Sequence, residues 1–144
     1  MRCADVNVLV YAHRREAPDH QRYLAWLEGA RRADEPLGVS SLILSGFVRV
    51  VTHPRVFRSP TSLAEALAFA ARVRAAPNAV ALTPGPRHWD IFTGLGERAD
   101  VRGNLVPDAY LAALAIESGA TFYSADRGFS RFPTLRWRHP LDAG

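Results

Sequence analysis

The stretch GNLVPDAYLAALAIESGATFYSADRGF (103–129) decides the fold. Residues 106–118 read as a helix of alanine and leucine, closed by Gly119. The next residues, ATFYS (120–124), read as a strand. The same alternation recurs upstream. RCAD (2–5) reads as a short buried strand ending at Asp5. VNVLVYAHR (6–14) is ambiguous: its β-branched residues suit a strand, and Val6, Leu9, Val10 and Ala12 suit a helix following a short strand. Residues 18–32 read as a helix opened by Pro18, 36–40 as a strand, and 40–52 as a helix with serine caps at its start. Residues 61–76 form a helix with Ser62 and Glu65 at capping-box spacing, so Glu65 reads as structural. A strand at 79–83, a helix at 86–98 weakened by Gly94 and Gly96, and a short strand at 135–139 complete the pattern. Strands alternating with helices indicate an α/β domain with a mainly parallel sheet.

Composition narrows the chemistry. The 144 residues suit one domain, and 48% hydrophobic content suits a packed core. No apolar run approaches the length of a membrane span, and nothing at Met1 reads as a signal peptide. The expected mature start is at or near Met1, and the expected compartment is cytoplasmic. A lone cysteine, Cys3, forms no intrachain disulfide and reads as a buried thiol. The net charge is +4, which favours polyanions such as RNA or an acidic partner segment. All 18 basic residues are arginines. With no lysine, P-loop phosphate binding and Schiff-base chemistry are excluded. The five histidines show no metal-ligand spacing, and no G-x-S-x-G nucleophile pattern occurs.

The carboxylates remain. Ligands of parallel α/β folds bind beyond the carboxyl ends of the strands. Asp5 follows the first strand and Asp126 follows ATFYS, while Asp108 heads the helix feeding that strand. Three acids therefore converge at one sheet edge. Their mutual repulsion favours a cation, and hard oxygen donors suit Mg²⁺ or Mn²⁺. Each acid also has a structural reading. Asp5 can cap the helix starting at Val6, Asp108 can favour a helix dipole, and Asp126 can cap a turn before Gly128.

ADVNVLVYA (4–12), GFVRVVTHPRVF (46–57), GNLVPDAYLAALAIESGAT (103–121) and YSADRGFSRFPTLRWRHPL (123–141) together resemble a PIN domain. The likeness is to the VapC-type toxins of type II toxin–antitoxin pairs, and it spans the whole chain as a single domain, 1–144. It implies a three-layer α/β/α sandwich around a mainly parallel sheet of four or five strands, order 3-2-1-4-5. It also implies a Mg²⁺- or Mn²⁺-dependent endoribonuclease, a homodimer, an RNA substrate and a cognate VapB-type antitoxin. Asp5, Asp108 and Asp126 match the family's metal-binding acids. Ser124 matches the hydroxyl of the S/T-x-D motif, and Asn7 matches the asparagine that orients Asp5. Ser45-Gly46 and Gly128 stand where PIN domains often carry further acids, which leaves one or two metal ions open.

On this resemblance, metal-activated water attacks the phosphodiester and leaves a 5′-phosphate and a 3′-hydroxyl. Arg49, Arg55, Arg58, Arg127 and Arg131 are candidates for positioning RNA, and Phe57, Phe129 and Trp137 for stacking on bases. The alternative is a catalytically weakened PIN domain that only binds antitoxin or RNA. Receiver domains and haloacid-dehalogenase-type phosphatases also group acids at strand ends, but they usually need the lysine this chain lacks.

Overall fold

The computed structural model describes residues 1–142. Its elements run β1 (Arg2–Ala4), α1 (Val6–His13), α2 (His20–Arg32), β2 (Leu37–Val39), α3 (Ser41–Val51), α4 (Leu63–Arg74), β3 (Ala79–Ala81), α5 (His88–Ala99), α6 (Leu105–Ser118), β4 (Thr121–Tyr123) and β5 (Trp137–Arg138). The ambiguous segment after Asp5 is therefore a helix. A 3₁₀ turn over Arg127–Arg131, which the sequence reading did not foresee, bridges β4 to β5.

All the strand pairings are parallel, in the order β3-β2-β1-β4-β5. Right-handed crossovers place α1–α4 on one face of this sheet and α5–α6 on the other. The helix packing agrees: α1 packs on α2 and α3, α3 on α4, and α5 on α6. The core lies on both sides of the sheet. Phe47, Leu27 and Val8 fill one side, and Phe122, Phe129 and Phe132 are fully buried near β4. Helix α6 buries Ala109, Ala112, Ala113 and Ala115. Small side chains on so many of its positions let it approach its neighbours closely.

Several boundaries have readable causes. Ser40 caps α3 by accepting from the Ile43 amide at 3.4 Å, and Ser62 caps α4 by accepting from Glu65 N at 3.2 Å. Gly119 closes α6 at φ 71°, a left-handed conformation suited to glycine. Helix α2 starts at His20, two residues later than expected from Pro18. Asp19 takes φ 59° there, which interrupts helical continuation from the preceding turn.

The order of the sheet positions the site. From β1 the chain moves outward through β2 and β3, then returns across β1 to β4 and β5. The direction thus reverses between β1 and β4, and the carboxyl ends of these two strands form the crevice where ligands bind.

Candidate functional site

Asp5 leaves β1 at this crevice and is 7% exposed. Its backbone amide donates to Tyr123 O at 2.8 Å, which locks it beside β4. Its Oδ1 accepts from the Val6 amide at 2.7 Å, so the helix-cap reading of Asp5 holds. Its Oδ2 accepts from the Ser124 hydroxyl, also at 2.7 Å.

Ser124 is fully buried and uses its whole bonding capacity. It donates to Asp5, and its oxygen accepts from Asn7 Nδ2 at 3.1 Å and from the Asp126 amide at 3.0 Å. Asn7 in turn accepts from the Ala125 amide at 3.1 Å. One hydroxyl thus ties the first turn of α1 to the end of β4 and sets the position of two acids. Ser124 bonds Asp5 directly, and Asn7 reaches it only through Ser124.

Asp126 is exposed, and its Oδ1 accepts from the Gly128 amide at 2.8 Å, as its turn-cap reading expected. A Cβ on Gly128 would stand 2.8 Å from that oxygen and 3.0 Å from Arg131 Nη2. The space where the resemblance implies a further acid is therefore filled by the Asp126 carboxylate and the Arg131 guanidinium. Gly46, the other departure, faces Val6, whose Cγ2 would lie 3.0 Å from an added Cβ.

Asp108 lies half-buried in the first turn of α6. Burial raises its carboxyl pKa above the ordinary value, and the charges of Asp126 and Asp5 raise it further, while Arg131 pulls it down. Asp5 is also raised, mainly by burial and partly by Asp126, against the lowering effect of the Ser124 and Val6 hydrogen bonds. The three acids thus share one electrostatic neighbourhood. Among the described residues, none of them enters an ion pair, although eight pairs form elsewhere.

This arrangement fits a hard divalent cation. The donors are carboxylate oxygens, negative charge is concentrated without a pairing cation, and burial penalises that charge. Among the described residues, though, no three His, Cys, Asp or Glu side chains gather tightly enough to form a metal cluster by themselves. The acids lie within electrostatic reach of one another rather than around one point. Glu117 is no further ligand, because it accepts from the Gly85 amide at 2.7 Å and the Arg87 amide at 3.0 Å.

The arginines separate. Arg131 stands at the acids, its Nε donating to Gly128 O at 2.8 Å. Arg127 is held by Asp142 through bonds of 3.1 and 3.3 Å. Arg49 is exposed in the last turn of α3 and makes no bond to the acids. Arg55 and Arg58 belong to a loop anchored at the far end of α1. There Arg14 donates to Ser59 O at 2.9 Å and covers the Phe57 ring at 4.1 Å. Of the aromatic candidates, Phe129 is core at 2% exposure, and Trp137 is half-buried beside the crevice.

Sequence reading missed Trp26 and Tyr123, whose rings pack 4.8 Å apart near Trp137. Trp26 lies on α2 and Tyr123 on β4, and only the packing of that helix against the sheet brings them together. It also missed an apolar cleft of about 390 Å³ adjoining the acids, lined by Val6, Leu42, Phe92, Val106, Pro107 and Tyr110 among others.

The profile described as PIN domain matches residues 2–135. VapC ribonuclease Mb2897 of Mycobacterium bovis is 53% identical over 142 residues, covering 99% of this chain and 97% of that protein. Ribonuclease VapC25 of Mycobacterium tuberculosis is 40% identical over 136 residues, covering 94% and 96%. Among solved structures, VapBC2 from Rickettsia felis bound to a promoter DNA fragment aligns with a TM-score of 0.70 at 18% identity. That match covers 96% of this chain and 97% of the other. VapBC-1 from nontypeable Haemophilus influenzae aligns at 0.67 and 14% identity, covering 98% of each. At these identities the structural matches speak for the fold.

Proposed function

The chain belongs to the PIN-domain family, and from that premise we propose that it is the ribonuclease toxin of a VapBC-type pair, cutting RNA at Asp5, Asp108 and Asp126. The observation that carries this reading is a group of three mutually repelling carboxylates at the β1–β4 crevice, without one ion pair among the described residues.

Asp5, Asp108 and Asp126 are the residues to hold Mg²⁺ or Mn²⁺, directly or through water. Such an ion, when bound, supplies an activated water and offsets charge on the scissile phosphate. The chain's own residues prepare that chemistry. Ser124 and the Val6 amide fix both oxygens of Asp5, so its remaining lone pairs point in a set direction. Asp108 and Asp126 add acceptor oxygens that take few or no protein hydrogen bonds. Arg131 brings positive charge to the same edge, where it can bind a backbone phosphate.

An RNA substrate, a VapB-type antitoxin partner and a homodimer belong to the same proposal. Leu42 and Val106, 54% and 38% exposed, flank the apolar cleft beside the acids and offer a surface for a protein partner. No helix among the described residues is long and apolar enough to cross a membrane.

The test is cleavage of total cellular RNA with Mg²⁺, Mn²⁺ or EDTA, beside the Asp5→Asn variant. Discrete metal-dependent fragments with 5′-phosphate ends, absent in the variant, support the proposal. A 2′,3′-cyclic phosphate product overturns its mechanism. A second reading, a weakened domain that binds RNA or antitoxin without cutting, draws on the acids' failure to close around one point. It predicts RNA binding with no cleavage under any metal.

A further inference from the structure

We propose that the cleft between α2 and the β4–β5 edge seats an unpaired base of the RNA next to the cut. This rests on the ribonuclease reading above. The cleft has a volume of about 530 Å³ and is lined by Trp26, Tyr123, Trp137, Arg2, Arg138 and His139, with Pro140 and Asp142 at its margin. Its size suits a small ligand group.

The lining has the chemistry of single-stranded nucleic acid binding, which combines aromatic faces for bases with cations for phosphates. Trp26, Tyr123 and Trp137 are each half-buried, so their rings are presented without being free to wander. Trp26 and Tyr123 brace one another with a 47° tilt between their planes. The charge balance is positive. Asp142 is engaged by Arg127, and Arg2 is engaged by Glu35 at 3.1 Å. Arg138 is exposed and has no carboxylate partner among the described residues.

The cleft and the acids are linked through Ser124. Trp137 donates its indole N–H to Ser124 O at 3.2 Å, and the hydroxyl of that same serine holds Asp5. Arg127, the residue after Asp126, carries its guanidinium 6.0 Å from the centre of the Trp137 ring. A strand of RNA cut at the acids can therefore place a neighbouring base against the rings and a neighbouring phosphate against Arg138. An apolar protein segment is the poorer occupant, because half of the lining is charged or imidazole.

The experiment uses full-length protein carrying Asp5→Asn and Trp89→Phe, in EDTA. The first change prevents cutting, and the second removes the exposed tryptophan outside the cleft. The probes are octamers of uridylate, of adenylate and of abasic ribose phosphate with equal charge. The expected result is quenching of tryptophan fluorescence by the base-bearing octamers, which bind about tenfold more tightly than the abasic one. Trp26→Leu should erase that difference. Arg138→Gln should weaken all three octamers and lower the salt slope by about one. This exposed substitution keeps the test decisive if Trp26→Leu does not fold. Equal binding of all octamers, or unchanged binding by folded Arg138→Gln, overturns the proposal. So does tryptophan shielding that follows protein concentration without RNA, which would make the cleft a contact between copies. Absence of cutting by unmutated protein with metal would defeat the ribonuclease reading instead, and base-dependent binding would still report on the cleft.

Discussion

The Ser124 hydroxyl donates to Asp5 Oδ2 at 2.7 Å, joining residues 119 positions apart in the sequence. Both partners are buried, so no water replaces this bond when it is lost. Ser124→Ala removes the donor and also strands Asn7 Nδ2 and the Asp126 amide. The expected cost is about 1–3 kcal/mol of stability, with a fall in RNA cleavage larger than the fraction unfolded explains. Urea unfolding and single-turnover cleavage measure the two effects.

Asp108→Asn should separate stability from activity. Burial and its acidic neighbours raise the Asp108 pKa, so the folded state holds its proton more tightly than the unfolded state. The stability contributed by that proton is present below the unfolded value, about 3.9, and is lost as pH rises through the folded value. The asparagine variant lacks this loss. Its Tm in metal-free buffer should exceed that of unmutated protein at pH 7.5 and match it near pH 3. Cleavage should be abolished. A lower Tm at pH 7.5 would show that Asp108 is stabilised by its surroundings rather than strained by them.

Added Mn²⁺ should raise the Tm of unmutated protein in a concentration-dependent way, because a cation that binds only the folded state stabilises it by mass action. The rise should shrink in Asp5→Asn and in Asp108→Asn. Calorimetric titration of the same proteins gives the number of ions held.

Gly128→Asp should fail to build a second metal site. Any Cβ there meets Asp126 Oδ1 at 2.8 Å, so the new side chain must displace the Asp126 cap. Lower cleavage with no gain in bound Mn²⁺ is expected, and Gly128→Ala should reproduce most of the loss.

His13 governs an acid-side decline in stability. Its ring meets Phe47 and Phe69 edge-on, with centroids 5.4 and 4.9 Å away, and shares a 3.0 Å hydrogen bond with Thr61 Oγ1. Burial lowers its pKa, with Arg14 and Arg72 acting in the same direction against Glu65 and Glu16. A lowered histidine keeps its full contribution above the unfolded value near 6.5 and loses it as pH falls towards the folded value. The stability of unmutated protein should fall over that window, and His13→Gln should flatten the fall in denaturant titrations at stepped pH.

The fold was legible where local and long-range signals agreed. Helix α6, Gly119 and β4 stand in the sequence as composition, a cap and a short threonine–aromatic run, and each was found within a residue or two of its expected ends. The grouping of Asp5, Asp108 and Asp126 was legible because strand ends are read locally and the sheet order follows from the resemblance. The Asp126 cap on the Gly128 amide was legible, but the continuation of that turn as a 3₁₀ helix to Arg131 was not, since it carries no local sequence signal. Nor was the Trp26–Tyr123 pair, which joins a helix face to a strand 97 positions later through packing alone. The anchoring of the Arg55 loop by Arg14 escaped for the same reason: the contacts of a long side chain are set by what lies across from it.

The bond between Asp5 and Ser124 also sets a clock on synthesis. Ribosomes extend chains at about 5–20 residues per second, so Asp5 waits roughly 6–24 s before Ser124 exists. During that interval β1 lacks β4, and Asp5 lacks the hydroxyl that orients it. A chain cut short anywhere before β4 carries Asp5 at the end of β1 but lacks the β4 side of the crevice. On the proposed reading, the capacity to cut therefore arrives late, all at once, and only in molecules whose translation has nearly finished.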